Sequence, residues 1–115
     1  MKKSSFGASV VIAALLVLVL AIQAAGAGDA TAGKVVYSNK CMICHGANGE
    51  GATGYAKALG LEPARLSSDR VQKKTDAELK QIILEGSGKM KPRKDLSEAD
   101  IDNVIAYIRN FRKKQ

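Results

Sequence analysis

The chain predicts an all-α domain. Two segments carry cap residues followed by apolar side chains at helical spacing, and no segment alternates convincingly between apolar and polar with period two. A third observation concerns what the helices enclose. Cys41-Met42-Ile43-Cys44-His45 places both cysteines and the only histidine of a 115-residue chain in five consecutive positions.

The first 27 residues do not read as part of that domain. Lys2 and Lys3 precede an unbroken apolar block from Val10 to Ile22, and Ala25-Gly26-Ala27 supplies small side chains before Gly28. A basic head, an apolar middle and a small-residue end form the layout of a secretory signal peptide. The 13-residue block is shorter than the ~20 residues that span a bilayer. Its weaker flanks, from Ala8 to Ala27, keep a permanent anchor as the alternative. No cysteine ends the block, so a lipid anchor has no attachment residue there. The expectation is a signal peptide at 1–27, a domain at 28–115, export to the periplasm, and no stable membrane insertion after cleavage.

Along the domain, Asp29 is placed to cap a helix from Ala30 to about Lys40. CMICH and the glycine-rich GANGEGATG follow, then a short helical turn at YAKALG and irregular chain, LEPARLSSD, around Pro63. Thr75 and Glu78 have capping-box spacing, each side chain satisfying an N–H that the helix start leaves unpaired. Leu79, Ile82 and Ile83 then share a face, and Gly86 is expected to end the helix in the left-handed conformation. The last helix starts at Ser97, with Leu96 and Ile101 spaced as a hydrophobic staple. Its stripe is Ile101, Val104, Ile105, Ile108 and Phe111. Glu98, Asp100 and Asp102 suit its positive end, and Arg109, Arg112 and Lys113 its negative end.

The domain has 88 residues, no tryptophan and few aromatics (Tyr37, Tyr55, Tyr107, Phe111). That is near the lower end of what an apolar core alone stabilises. A disulfide between Cys41 and Cys44 would close too short a loop to restrict the unfolded chain much. A bound prosthetic group is the other way to fill the centre. Without the leader, 16 basic residues face 11 acidic ones, a net charge of +5. Much of the excess is local: Lys89, Lys91, Arg93 and Lys94 in GKMKPRK, and three more in the terminal FRKKQ. Export argues against nucleic acid as the partner of these charges.

Three chemistries use cysteines separated by two residues. Structural zinc takes four protein ligands, and here a carboxylate would have to supply the fourth. A thioredoxin-like pair belongs beside a βαβ pattern, which is missing. C-x-x-C-H is the attachment pattern of a covalent haem. The two-residue spacer lets Cys41 and Cys44 reach two vinyl groups on one edge of the macrocycle. His45, next in the chain, then lies beneath the ring as an iron ligand. The pattern predicts one haem c.

For the other face of the iron no second histidine exists. Met1 leaves with the leader, and Met42 would have to fold back through its own attachment segment. Met90, 45 residues after His45 on irregular chain between two helices, remains as the expected sixth ligand. The alternatives are that Met90 only lines the pocket, as an adaptable apolar residue can, or that the amine of Lys89 or Lys91 binds instead.

With these residues in place the domain resembles the class I cytochromes c, in particular the short bacterial single-haem type, over nearly all of 28–115. Gly33, Tyr37 and Cys41 match that family's glycine, aromatic and first haem cysteine at intervals of four. VIAYIRNF, with Tyr107, is similar to its C-terminal helix, and CHGANGEG to its loop after the haem histidine. Two departures stand out. Lys91 separates Met90 from Pro92, where many members have Met-Pro directly. The proline carbonyl that often accepts the histidine's other N–H has only Pro63 as a candidate, and an ordinary turn is the alternative there. The resemblance implies a small helical shell around the haem, and a monomeric periplasmic electron carrier rather than an enzyme. Its redox partners would dock acidic surfaces on the basic residues near Met90. The rival is a haem enzyme or gas sensor, peroxidase-like, with an open sixth site.

Overall fold

The computed structural model describes residues 7, 10–12 and 28–114. The expected signal peptide therefore lies outside the described residues, apart from 7 and 10–12. Among the described residues no helix is long and apolar enough to cross a membrane.

The first helix, α1 (Ala30–Lys40), starts where the sequence places it. Asp29 is extended, at φ −91° and ψ 111°, and its carboxylate accepts the Thr31 N–H at 2.8 Å. A single turn, α2 (Met42–His45), follows, then the short α3 (Gly54–Ala58) and α4 (Asp69–Gln72). The second long helix, α5 (Asp76–Glu85), carries the expected Thr75/Glu78 capping box. Helix α6 (Glu98–Arg109) starts from Ser97, and its third residue, Asp100, completes a second box. A 3-10 turn, Asn110–Lys114, continues from α6. Among the described residues the only pairing of strand type is an isolated bridge between Ser87 and Met90. The all-α expectation holds.

α1 crosses α6 at Gly33. A Cβ there would overlap the Asn103 carbonyl and come within 3.0 Å of Tyr107 Cβ, so only a hydrogen at this position lets the two backbones touch. One turn away, Tyr37, Tyr107 and Phe111 pack as a trio with every pair of ring centroids 5.3 Å apart, in tilted and edge-on arrangements that aromatic quadrupoles favour. Tyr37, Phe111, Ile101 and Val104 are almost wholly buried, and α5 adds Leu79 and Ile83 to the same core.

Two details depart from the sequence reading. Gly86 does have a positive φ, 80°, but its ψ of 173° sends the chain out extended instead of curling it into a left-handed cap. The reason lies downstream. The carbonyl of Ile83, which a curled cap could have satisfied, accepts the Arg93 N–H at 2.8 Å. Arg109, in the last turn of α6 as expected, and Arg112 beyond it also reach across to the end of α4 and the chain that follows it. Arg109 donates to the carbonyls of Gln72 at 3.0 Å and Lys74 at 2.7 Å, and Arg112 to that of Gln72 at 2.6 Å. These bonds hold α4, of which only Asp69 falls in the stretch expected to be irregular and the rest carries no helix signal in the sequence. Gln72 completes its docking by donating from Nε2 to the carbonyls of Leu66 and Ile108.

The crossing yields a test. Gly33→Ala should lower stability by about 1–3 kcal/mol through overpacking, even though alanine gains ~1 kcal/mol in helix propensity. Chemical denaturation measures the net, and an unchanged or raised stability would contradict the close approach.

Candidate functional site

CMICH is presented by the end of α1. The Cys41 N–H still bonds Tyr37 O, and the chain then makes one more turn through α2, with His45 N–H on Cys41 O at 3.0 Å. Helical spacing puts Cys41, Cys44 and His45 on one side, since positions i, i+3 and i+4 are neighbours. Both thiols are free and partly buried. Cys41 packs against the core, and burial pushes its pKa up to about 11, with Arg93 opposing. It is a thiol at neutral pH, the opposite of the activated thiolate a catalytic redox pair uses.

His45 Nδ1 lies 3.1 Å from the carbonyl of Ala64. A carbonyl can only accept, so Nδ1 carries the proton and Nε2 keeps its lone pair. Burial lowers the pKa of His45, and the neutral ring is the form that can ligate a metal. The carbonyl belongs to Ala64, not to the Pro63 that the sequence offered. Pro63 O faces Gly51 instead, where a Cβ would stand 2.7 Å from it.

That contact explains the glycine-rich loop. Gly49 and Gly51 have φ of 69° and 73°, and both lie against neighbouring chain with no room for a side chain. The loop is tied at both ends. Tyr37 donates its hydroxyl to Gly46 O at 2.6 Å, and burial raises the pKa of that hydroxyl, so it stays a donor. Gly51 N–H bonds His45 O at 2.6 Å, and Leu66 N–H bonds Gly49 O at 2.7 Å. The same loop thus brings the Ala64 carbonyl under the imidazole.

Met90 sits at the end of a tight turn. Ser87 and Met90 exchange both backbone hydrogen bonds, at 3.0 and 2.9 Å, and Gly88 between them has φ 56°. Met90 is partly buried and packs against the same core cluster as Cys41. Gly86 makes the turn possible, because a Cβ there would meet Met90 O at 2.5 Å and Pro92 Cδ at 3.0 Å. Of the two lysines beside Met90, Lys89 donates its ammonium to Gly60 O at 2.9 Å, whereas Lys91 is exposed.

The donors present fit a haem c: two unpaired thiols, a neutral imidazole steadied through its second nitrogen, and a thioether packed on the same core as Cys41. They do not fit a zinc site. Among the described residues no three His, Cys, Asp or Glu side chains are grouped to hold a metal ion, and a structural zinc needs four ligands.

Residues 28–108 match the family model described as cytochrome c oxidase, cbb3-type, subunit III. The chain is 41% identical over 87 residues to cytochrome c-554(547) of Halothiobacillus neapolitanus, covering 71% of this chain and 96% of that protein. It is 29% identical over 97 residues to the cbb3-type cytochrome c oxidase subunit CcoP of Azospirillum brasilense, covering 83% of this chain but 32% of that subunit. Among solved structures, the KustC0563 c-type cytochrome superposes with a TM-score of 0.57 at 26% identity, over 69% of this chain and 95% of that one.

Gly86→Ala should cost about 1–3 kcal/mol, from a strained positive φ and from pressure on Met90 O. Amide exchange would show where the loss falls: protection of the Met90 N–H should drop before that of α6.

Proposed function

The chain belongs to the single-haem, class I-like family of c-type cytochromes, and from that premise we propose that it is an exported electron carrier with His45 and Met90 as axial ligands. In this reading Cys41 and Cys44 hold one haem c by thioether bonds. The observation that carries it is the CMICH turn, in which His45 gives Nδ1 to Ala64 O and keeps Nε2 for iron. The haem supplies a one-electron iron couple.

The chain's own residues do the rest. Ala64 O sets the imidazole's orientation and raises its basicity, as an outer hydrogen bond to a ligating histidine does. The Ser87–Met90 turn presents a thioether, a donor that raises the reduction potential. Packing against the core shared by Cys41 and Met90 would lower the local polarity, which favours the less charged iron state. Electron transfer needs no bond to break and no substrate pocket. Lys91 and Lys94 are exposed and suit a docking rim for an acidic partner, giving association rates that fall with ionic strength. Arg93 is paired with Asp95 and contributes less to that rim. The likeness to an oxidase subunit supports a partner that is itself a haem protein. Export to the periplasm, cleavage before Gly28 and a monomeric state complete the proposal.

The exported, matured protein should have the mass of Gly28–Gln115 plus one covalently bound haem, and a start at Met1 would mean an anchored chain. Met90→Ala should abolish a far-red methionine–iron absorption and lower the reduction potential. An unchanged spectrum would remove Met90 from the ligand set. The reduced protein should not bind carbon monoxide rapidly at neutral pH, whereas rapid binding would indicate the open sixth site of a haem enzyme or gas sensor.

A further inference from the structure

We propose that Lys40, Asp95 and Arg93 form an ion-pair clasp that holds the Met90 segment against the end of α1 and so positions the sixth ligand. The inference rests on the reading that Met90 ligates the iron. Each member occupies a telling place. Lys40 is the last residue of α1 and immediately precedes Cys41. Arg93 follows Met90 by three residues, and its N–H is anchored on Ile83 O of α5. Asp95 stands between them. Its Oδ2 lies 3.0 Å from Lys40 Nζ and 3.0 Å from Arg93 Nη2, so one oxygen serves both cations.

The position of the clasp matters more than its strength. The backbone hydrogen bonds of the Met90 segment run within the segment and to α5, whereas the Lys40–Asp95 pair runs to α1 and the Arg93–Asp95 pair holds Asp95 in place within the segment. The clasp therefore joins the chain that carries the sixth ligand to the chain that carries the cysteines. Arg93 is turned inward, its Nε buried without a partner among the described residues, and its charge acts on the Cys41 thiol. The clasp and the attachment edge are neighbours.

The three side chains are between 30% and 46% exposed, and pairs of this kind are individually weak and screened by salt. That suits a latch, which makes displacement of the methionine several-fold harder without locking it. Asp95 is a positioning residue here, with no contact to the iron.

The test uses the ferric holoprotein and imidazole as a competing ligand, following the far-red methionine–iron band. Asp95→Asn should raise the apparent imidazole affinity about two- to fivefold, and Lys40→Gln should raise it in the same direction. The double variant should show less than the combined effect. Raising the ionic strength should raise the wild-type affinity toward that of Asp95→Asn and leave the variant nearly unchanged. Variants whose imidazole affinity and salt response match wild type would overturn the clasp. Absence of the band in the wild-type protein would instead overturn Met90 ligation. If Asp95→Asn fails to fold, Lys40→Gln reads the same pair from the other side.

Discussion

The contact of α1 with α6 at Gly33 is the constraint from which the remaining geometry follows. Because the two backbones meet there, Tyr37 is driven into the angle between the helices, where Tyr107 and Phe111 close around it. Its hydroxyl then has one buried direction to take, toward Gly46 O. That bond places the start of the glycine-rich loop, and the loop in turn carries the segment that presents Ala64 to His45. A hydrogen atom on α1 thus reaches the imidazole through a continuous series of packing and hydrogen-bond contacts.

The long elements were legible because their signals are local. Asp29, Thr75 and Ser97 cap within three residues of themselves, and the stripe along α6 repeats within two turns. The aromatic trio was half visible, since Tyr37 and Tyr107 are each marked by their own helices while their meeting depends on the crossing. What the chain hid was decided over long separations. Arg109 and Arg112 sit where a dipole argument expects them, yet carbonyls 35 to 40 positions away claim them. Without those partners α4 has too few residues to announce itself.

The site shows the same division. Cys41, Cys44 and His45 lie within five residues, so their geometry follows from a single turn of helix. The supporting carbonyl comes from 19 residues away, and packing of Gly51 against Pro63 turns Pro63 O aside and leaves Ala64 O to serve. The irregular chain around Met90 concealed a reciprocal turn that depends on Gly86 having no side chain. Lys89, one of two amines that stood as rivals to Met90, turns out to be engaged on Gly60 O. The other, Lys91, has no comparable tether described for it.

The withdrawn thiol of Cys41 bears on the order of assembly. A sulfur that is protonated and packed against the core reacts slowly with an electrophile. In the proposed haem-bearing protein, bond formation at Cys41 then belongs to the nascent, open polypeptide, before α6 closes over α1, and folding becomes the step that seals a finished modification in place.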